Sequence, residues 1–228
     1  MELPRTVEGR FVRRENRFRI TVDVDGRVES AHLPNSGRLS ELLVPGRRCY
    51  LVPRSSPQRR TPYDLLLVDY DGVLVSVDAR LPNPLFAEAV AAGRLAPFVG
   101  TTVVEREVRR GESRLDFRLG GPWGTCWVEV KSVTLVEGGL ALFPDAPTKR
   151  GRRHLEDLAA LAGEGYRAAA VFVVQRPDAD AFAPNRRADP AFAQGLAEAR
   201  ASGVEVYAYR CRVTRRELSI LDAVPVLT

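Results

Sequence analysis

Three charged side chains lie on neighbouring predicted strands, at positions where strands usually carry apolar residues. Glu129 and Lys131 are two residues apart in "WVEVKSV", so on a strand their side chains project from the same face. Asp116 precedes them in "SRLDFRLG", and the turn "GGPWG" lets the two strands pair. We therefore expect two carboxylates and one ammonium group on a single sheet surface.

This combination suits metal-assisted hydrolysis of a phosphodiester. Neighbouring carboxylates bind hard divalent ions such as Mg²⁺ or Mn²⁺, and such an ion can polarise a phosphoryl oxygen and lower the pKa of a bound water. A lysine beside the ion can position or deprotonate that water, whereas arginine stays protonated. The alternative is a structural Asp–Lys–Glu ion-pair cluster on an exposed sheet face, because E-x-K alone is a common pattern.

The basic residues are strongly biased towards arginine. Of the 34 lysines and arginines, only Lys131 and Lys149 are lysine. Lysine is a compact ammonium with a tunable pKa, unlike the planar guanidinium. We interpret Lys131 as a position where arginine would not serve.

The composition is that of a globular protein with a mildly basic surface. The 228 residues are 45% hydrophobic and 28% charged, with a net charge of +5, which fits one large or two small domains and a polyanionic partner. No apolar run is long enough to span a membrane, and "MELPRTVEGR" lacks the apolar core of a signal peptide. Three scattered cysteines predict buried thiols in a reducing cytoplasm.

Two arginine-rich stretches lie within the first 60 residues. Residues 10–19 hold five arginines and one glutamate, and residues 46–60 hold five arginines and no acid. We expect contacts with a nucleic-acid backbone there, and the alternative is a solvated surface without a partner. The loop "HLPNSGR" either approaches nucleic acid or is a tight structural loop. The candidate contact residues are Arg13, Arg14, His32, Asn35, Arg38, Arg47 and Arg48.

Residues 1–81 predict a small closed β-barrel. Short alternating runs such as "RFRITVDV" are separated by turns at Asp25-Gly26 and Asp71-Gly72. "RLSELLVPG" predicts one short helix that ends at Pro45-Gly46. An OB fold, which commonly binds single strands, is favoured over an SH3-like barrel.

Residues 82–228 predict a mixed sheet flanked by helices. "NPLFAEAVAAGRL" predicts a first helix with Asn83 as its N-cap. Strands follow, and "PTKRGRRHLEDLAALAGEG" predicts a second helix with Asp145 or Thr148 as its N-cap. "RAAAVFVVQ" is typical of a strand buried on both faces of a parallel sheet.

The start of the second helix is a candidate phosphate site. Backbone N–H groups at a helix start, with cations nearby, attract anions. The cations here are Lys149, Arg150 and Arg153. His154 could contact a phosphate or assist a proton transfer, or it could make only a hydrogen bond on the helix surface.

The spacing D-x(12)-E-x-K on adjacent strands between two helices resembles the PD-(D/E)XK nuclease superfamily, with Leu115 in place of the usual proline. The whole chain is similar to the sugar fermentation stimulation protein A (SfsA) family. The similar segments are "HLPNSGR", "LPNPLFAEAV", "RLDF", "VEVKSVTLVEGGLALFPDAPTKRGRRHLEDL", "FVVQRPDADAFAPN" and "YRCRV".

The resemblance implies an OB-like barrel (1–81), a PD-(D/E)XK nuclease-like domain (82–228), and Mg²⁺-dependent nuclease activity on DNA and/or RNA. By the same resemblance, Asp116 and Glu129 would be metal ligands, the Val130 carbonyl a backbone ligand and Lys131 the catalytic lysine. Related nucleases often add an acid from the first helix. Glu88 is the only acid there, with solvent exposure as the alternative.

A second function class stays open. The family name reflects a proposed regulatory role in sugar metabolism, so the chain could be a non-catalytic DNA-binding transcriptional regulator on a nuclease-like fold. The joint presence of the three charged residues favours catalysis, and no helix-turn-helix is visible. We expect no membrane association. Oligomeric state is open as well, and a homodimer would suit an enzyme that cuts both strands of a duplex.

Overall fold

The computed structural model describes residues 1–55, 58–110 and 113–227, so part of the arginine-rich stretch 46–60 lies outside the described residues. Within this part of the chain, the N-terminal domain is built from six strands. These are β1 Val7–Asn16, β2 Arg19–Val24, β3 Arg27–His32, β4 Arg48–Pro53, β5 Tyr63–Tyr70 and β6 Val73–Ser76.

The six strands form the expected OB-like barrel. Their order is β3-β2-β1-β4-β5-β6, and an additional parallel pairing of β3 with β5 closes five of them into a barrel. The β2–β3 hairpin is set by Asp25 and Gly26, both at positive φ, as a type I′ turn requires. Apolar residues alternate along the strands, so that Ile20 and Val22 are fully buried inside.

The helix predicted over "RLSELLVPG" does not form, and residues 38–46 are an irregular turn. Leu39 adopts φ 52, a left-handed conformation that an α-helix cannot contain. Leu39 and Leu42 are instead buried in the barrel core, and Gly46 donates a backbone hydrogen bond to Phe11. Packing of two leucines against the barrel thus outweighs the weak local helix preference.

The C-terminal domain contains three α-helices and nine strands among the described residues. The helices are α1 Pro82–Ala91, α2 Lys149–Gly163 and α3 Pro190–Ala201. The strands are β7 Val103–Arg110, β8 Ser113–Gly121, β9 Gly124–Val133, β10 Leu135–Glu137, β11 Leu140–Phe143, β12 Arg167–Val174, β13 Ala181–Pro184, β14 Glu205–Val213 and β15 Leu218–Val224.

The main sheet is mixed and covered on both faces, as expected. Its order is β15-β14-β12-β9-β8-β7, with β9, β12 and β14 parallel. The apolar run of β12 lies at its centre and is buried on both faces. Helix α1 packs on one face, whereas α2 and α3 pack on the other. Among the described helices, none combines the length and the apolar character needed to cross a bilayer.

Residues that follow β12 join the two domains. The backbone carbonyl and the side-chain oxygen of Gln175 both accept hydrogen bonds from Ser76 of the barrel. The Gln175 amide also donates to Oγ of Ser132, which follows Lys131 on β9. Arg176 is 1% exposed, and its guanidinium forms a bidentate pair with Asp178 while lying over the barrel's Tyr70 ring. The barrel is thereby tied to the central strands of the sheet.

We expect Arg176→Ala to lower the free energy of unfolding by about 2–5 kcal/mol, because it leaves a cavity in place of a fully buried side chain and removes the partner of the half-buried Asp178. The measurement is urea denaturation followed by circular dichroism. Arg118→Ala is the control, since Arg118 pairs with Glu105 at the surface, where loss should stay below about 1 kcal/mol. Equal losses for the two variants would contradict this assignment.

Candidate active site

Glu129 is a buried carboxylate held between a strand and a helix. It lies on β9, is 3% exposed, and its Oε1 accepts hydrogen bonds from His154 Nδ1 of α2 and from Lys131 Nζ. Burial raises the pKa of a carboxyl group, but the His154 hydrogen bond and the Lys131 charge outweigh it and lower the pKa of Glu129. Glu129 is therefore ionised at neutral pH.

The second oxygen of this carboxylate, Oε2, is buried and has no hydrogen-bond partner among the described residues. An unpaired buried charge is costly, so such an atom calls for a water, an ion or a reacting group. One oxygen of Glu129 is thus fixed by the protein, and the other has no partner among the described residues.

Asp116 lies where β8 and β9 separate. At this end, the β8–β9 ladder stops at the pair Phe117 and Val128. The next inward-facing N–H of β9, that of Val130, donates to the Asp116 side chain at Oδ2, at 2.8 Å, and not to the backbone of β8. Burial and the nearby Glu129 charge raise the pKa of Asp116. Because the N–H and C=O of a strand residue point to the same side, the Val130 carbonyl also faces the Asp116 side of the strand.

Asn83 is a site residue that the sequence interpretation placed wrongly. Helix α1 begins at Pro82 with Leu81 at the N-cap position and no side-chain cap. The Asn83 amide instead donates to Asp116 Oδ1 at 2.8 Å. Its position in "PNP" at a helix start is typical of a cap, and no local signal distinguishes the two roles.

The structure does not bring Glu88 to the carboxylate pair. Its side chain forms ion pairs with the amino group of Met1 and with Arg94, each at 3.1 Å, and is 43% exposed. The polar residue that α1 contributes to the site is therefore Asn83. Within residues 1–55, 58–110 and 113–227, no three His, Cys, Asp or Glu side chains group into a metal site.

His154 is 1% exposed and therefore neither a surface residue nor positioned for direct contact with a phosphate. Its Nε2 accepts from Arg150 Nε at 3.3 Å, so we assign the ring proton to Nδ1, which donates to Glu129. His154 thus orients the Glu129 carboxylate. As predicted, Thr148 caps this helix, with its Oγ1 accepting from the Gly151 N–H at 3.0 Å.

The loop "HLPNSGR" is held by its own hydrogen bonds. The buried Asn35 side chain accepts from the Gly37 N–H and donates to the Val77 carbonyl. Arg14 donates to the carbonyls of Gly37 and Arg38, each at 2.7 Å. Asn35 and Arg14 therefore shape the loop rather than present free groups to a ligand.

The other candidate contact residues fall into two sets. Several are engaged within the protein: Arg13 with Glu15, Arg47 over the Tyr70 ring, Arg48 with Glu8 and Asp69, and His32 Nδ1 at 3.1 Å from the Phe18 carbonyl. Arg38, Lys149 and Arg153 are exposed. Several of the barrel arginines therefore contact other protein groups, and fewer of them are free to contact nucleic acid than their number in the sequence indicates.

Two family models match this chain. One, described as the SfsA N-terminal OB domain, matches residues 12–77, and the other, the Sugar fermentation stimulation protein RE domain, matches residues 80–217. The chain belongs to the sugar fermentation stimulation protein family. The family and the fold class inferred from the sequence are both confirmed.

Relatives extend over nearly the whole chain. A sugar fermentation stimulation protein homolog from Moorella thermoacetica is 51% identical over 99% of this chain and 99% of its own length. One from Chloroflexus aurantiacus is 47% identical over 96% of this chain and 85% of its own. Pyrococcus furiosus SfsA, whose structure was solved in complex with Ca²⁺, is 35% identical with a TM-score of 0.92, covering 100% of this chain and 98% of that one.

We expect Asn83→Ala to raise the pKa of Asp116, because the amide hydrogen bond favours the ionised carboxyl group. Carboxyl ¹³C NMR titration of the Asp116 signal measures the change. Asn16→Ala is the control, since that side chain bonds to the Phe18 backbone within the barrel. An unchanged Asp116 titration in Asn83→Ala would show that the hydrogen bond does not act on the carboxylate.

Proposed function

We propose that this protein is a Mg²⁺- or Mn²⁺-dependent nuclease that hydrolyses phosphodiester bonds of DNA and/or RNA. The observation that carries the proposal is the buried, unpartnered Glu129 Oε2, with Asp116 nearby and the Lys131 ammonium alongside. Asp116, Glu129 and the Val130 carbonyl would hold the ion, since hard cations take oxygen donors. When bound, it would polarise the phosphoryl group and acidify a water.

Each protein group has a separate task in this proposal. Asn83 and the Val130 N–H fix the Asp116 carboxylate, and His154 fixes Glu129 through Oε1, which leaves Oε2 free. Preorganised groups of this kind need no rearrangement during reaction. The Lys131 ammonium can position the attacking water or neutralise the charge that develops on the phosphoryl oxygens.

Two further findings support the proposal. The Pyrococcus furiosus relative was solved in complex with Ca²⁺, a cation that, like Mg²⁺, takes oxygen ligands. The OB domain supports contact with nucleic acid, because OB folds commonly track single strands.

Cys49, Cys126 and Cys211 are buried and unpaired, and burial raises the pKa of each thiol to about 12. These inert thiols fit a reducing compartment, and we propose the cytoplasm.

We expect the purified protein to cut labelled DNA or RNA with Mg²⁺ or Mn²⁺, and Lys131→Ala to lower the single-turnover rate about 10²–10³-fold. Asp116→Asn and Glu129→Gln should lower the single-turnover rate by at least a similar factor. Arg27→Ala is the matched control, because Arg27 is an exposed cation at the tip of the β2–β3 hairpin.

Two outcomes would overturn the nuclease proposal. One is a wild-type protein that cuts none of single- or double-stranded DNA and RNA with either metal, and the other is a Lys131→Ala variant that cuts at the wild-type rate. If the wild-type protein binds DNA without cutting it, the alternative of a non-catalytic regulator is favoured.

A further inference from the structure

A cleft beside Lys131 is formed jointly by the two domains. It has a volume of about 430 Å³ and opens between the barrel, through Arg17 and the Asn35–Gly37 loop, and the C-terminal domain. The C-terminal wall includes Lys131 and the start of α2, with Thr148 and Arg150. The candidate catalytic lysine therefore faces a space that the barrel closes on the opposite side.

The two walls are fixed relative to each other. At one end of the cleft the Leu39 N–H of the barrel donates to Asp145 Oδ2 of the C-terminal domain at 3.2 Å. A Cβ atom at Gly37 would lie 2.5 Å from the same oxygen, so the walls touch there. Gln175, whose amide bonds to Ser132 next to Lys131, also accepts a hydrogen bond from Ser76 of the barrel and so joins the domains. Hydrogen bonds between the domains thus hold the two walls together.

The size of this space limits what can enter it. Its volume of about 430 Å³ is on the scale of a small-molecule pocket. Two paired strands, whose backbones lie about 12 Å apart across the major groove alone, cannot be enclosed in a volume of this size. One nucleotide of a separated strand is of the right scale, as in enzymes that extrude a single nucleotide into a pocket.

The charges of the lining suit a phosphodiester backbone. Arg17 on the barrel wall lies over its neighbour Phe18, and Arg150 on the opposite wall donates to His154. Neither guanidinium has a carboxylate partner within 4 Å among the described residues, so both charges are available to an anion. Asp145 is the one acidic residue among those described in the lining, and its Oδ2 is engaged by Leu39.

We propose that the cleft takes one nucleotide of a single-stranded nucleic acid, with Arg17 and Arg150 contacting the backbone phosphates from opposite walls. This inference rests on the proposed nuclease function and names its substrate class: single strands or frayed ends, not intact duplex. Positively charged grooves that follow one backbone are the common mode of single-strand binding.

The test is fluorescence anisotropy without divalent metal, using labelled single-stranded DNA and RNA oligonucleotides and a DNA duplex of the same sequence. We expect single strands to bind at least about tenfold tighter than the duplex, and Arg17→Ala and Arg150→Ala each to weaken that binding about tenfold. Each change should also reduce the salt dependence by about one counterion. Comparison of the DNA and RNA arms identifies the preferred sugar.

Arg27→Ala is the control for loss of one exposed cation, and its affinity should change less than about twofold. Duplex binding as tight as single-strand binding, absence of binding at low salt, or equal effects of Arg17→Ala and Arg27→Ala would each overturn the cleft assignment. The two proposals fail separately. Tight single-strand binding without cleavage refutes only the nuclease, and cleavage of duplex as fast as single strands refutes only the cleft assignment.

Discussion

The buried charge of Glu129 is the constraint on which the candidate site depends. A carboxylate that is 3% exposed is tolerated in a protein interior only when its charge is matched. Here the match comes from His154 on α2 and Lys131 on the same strand. The charge of Glu129 is therefore fully compensated only when α2 is packed against β9. Because both partners engage Oε1, Oε2 is left without a partner among the described residues.

Strand β9, which carries Glu129 and Lys131, is also connected to the barrel. Directly after Lys131, Ser132 accepts from Gln175, which in turn bonds to Ser76 of the barrel. Strand β9 and the barrel are therefore held by one network of hydrogen bonds, and the buried Arg176 adds an ion pair with the half-buried Asp178. A cleft next to Lys131 lies between the two domains that this network joins.

Local sequence patterns predicted the features that depend on local physics. The two-residue period placed Glu129 and Lys131 on one face, and the Thr148 cap follows from the preference of helix starts for a side-chain acceptor. Features that depend on distant partners were missed. Leu39 turns left-handed to fill the barrel, Asn83 bonds to a strand rather than capping its own helix, and His154 is buried against Glu129.

The most direct test of the metal-site hypothesis is a crystal structure of the protein soaked in Mn²⁺, with the ion located by its anomalous scattering. We expect one ion bound by Asp116 and by Oε2 of Glu129, the carboxylate oxygen that lacks a protein partner among the described residues. An ion bound elsewhere, or a Glu129 Oε2 that stays unpartnered in saturating Mn²⁺, would contradict it.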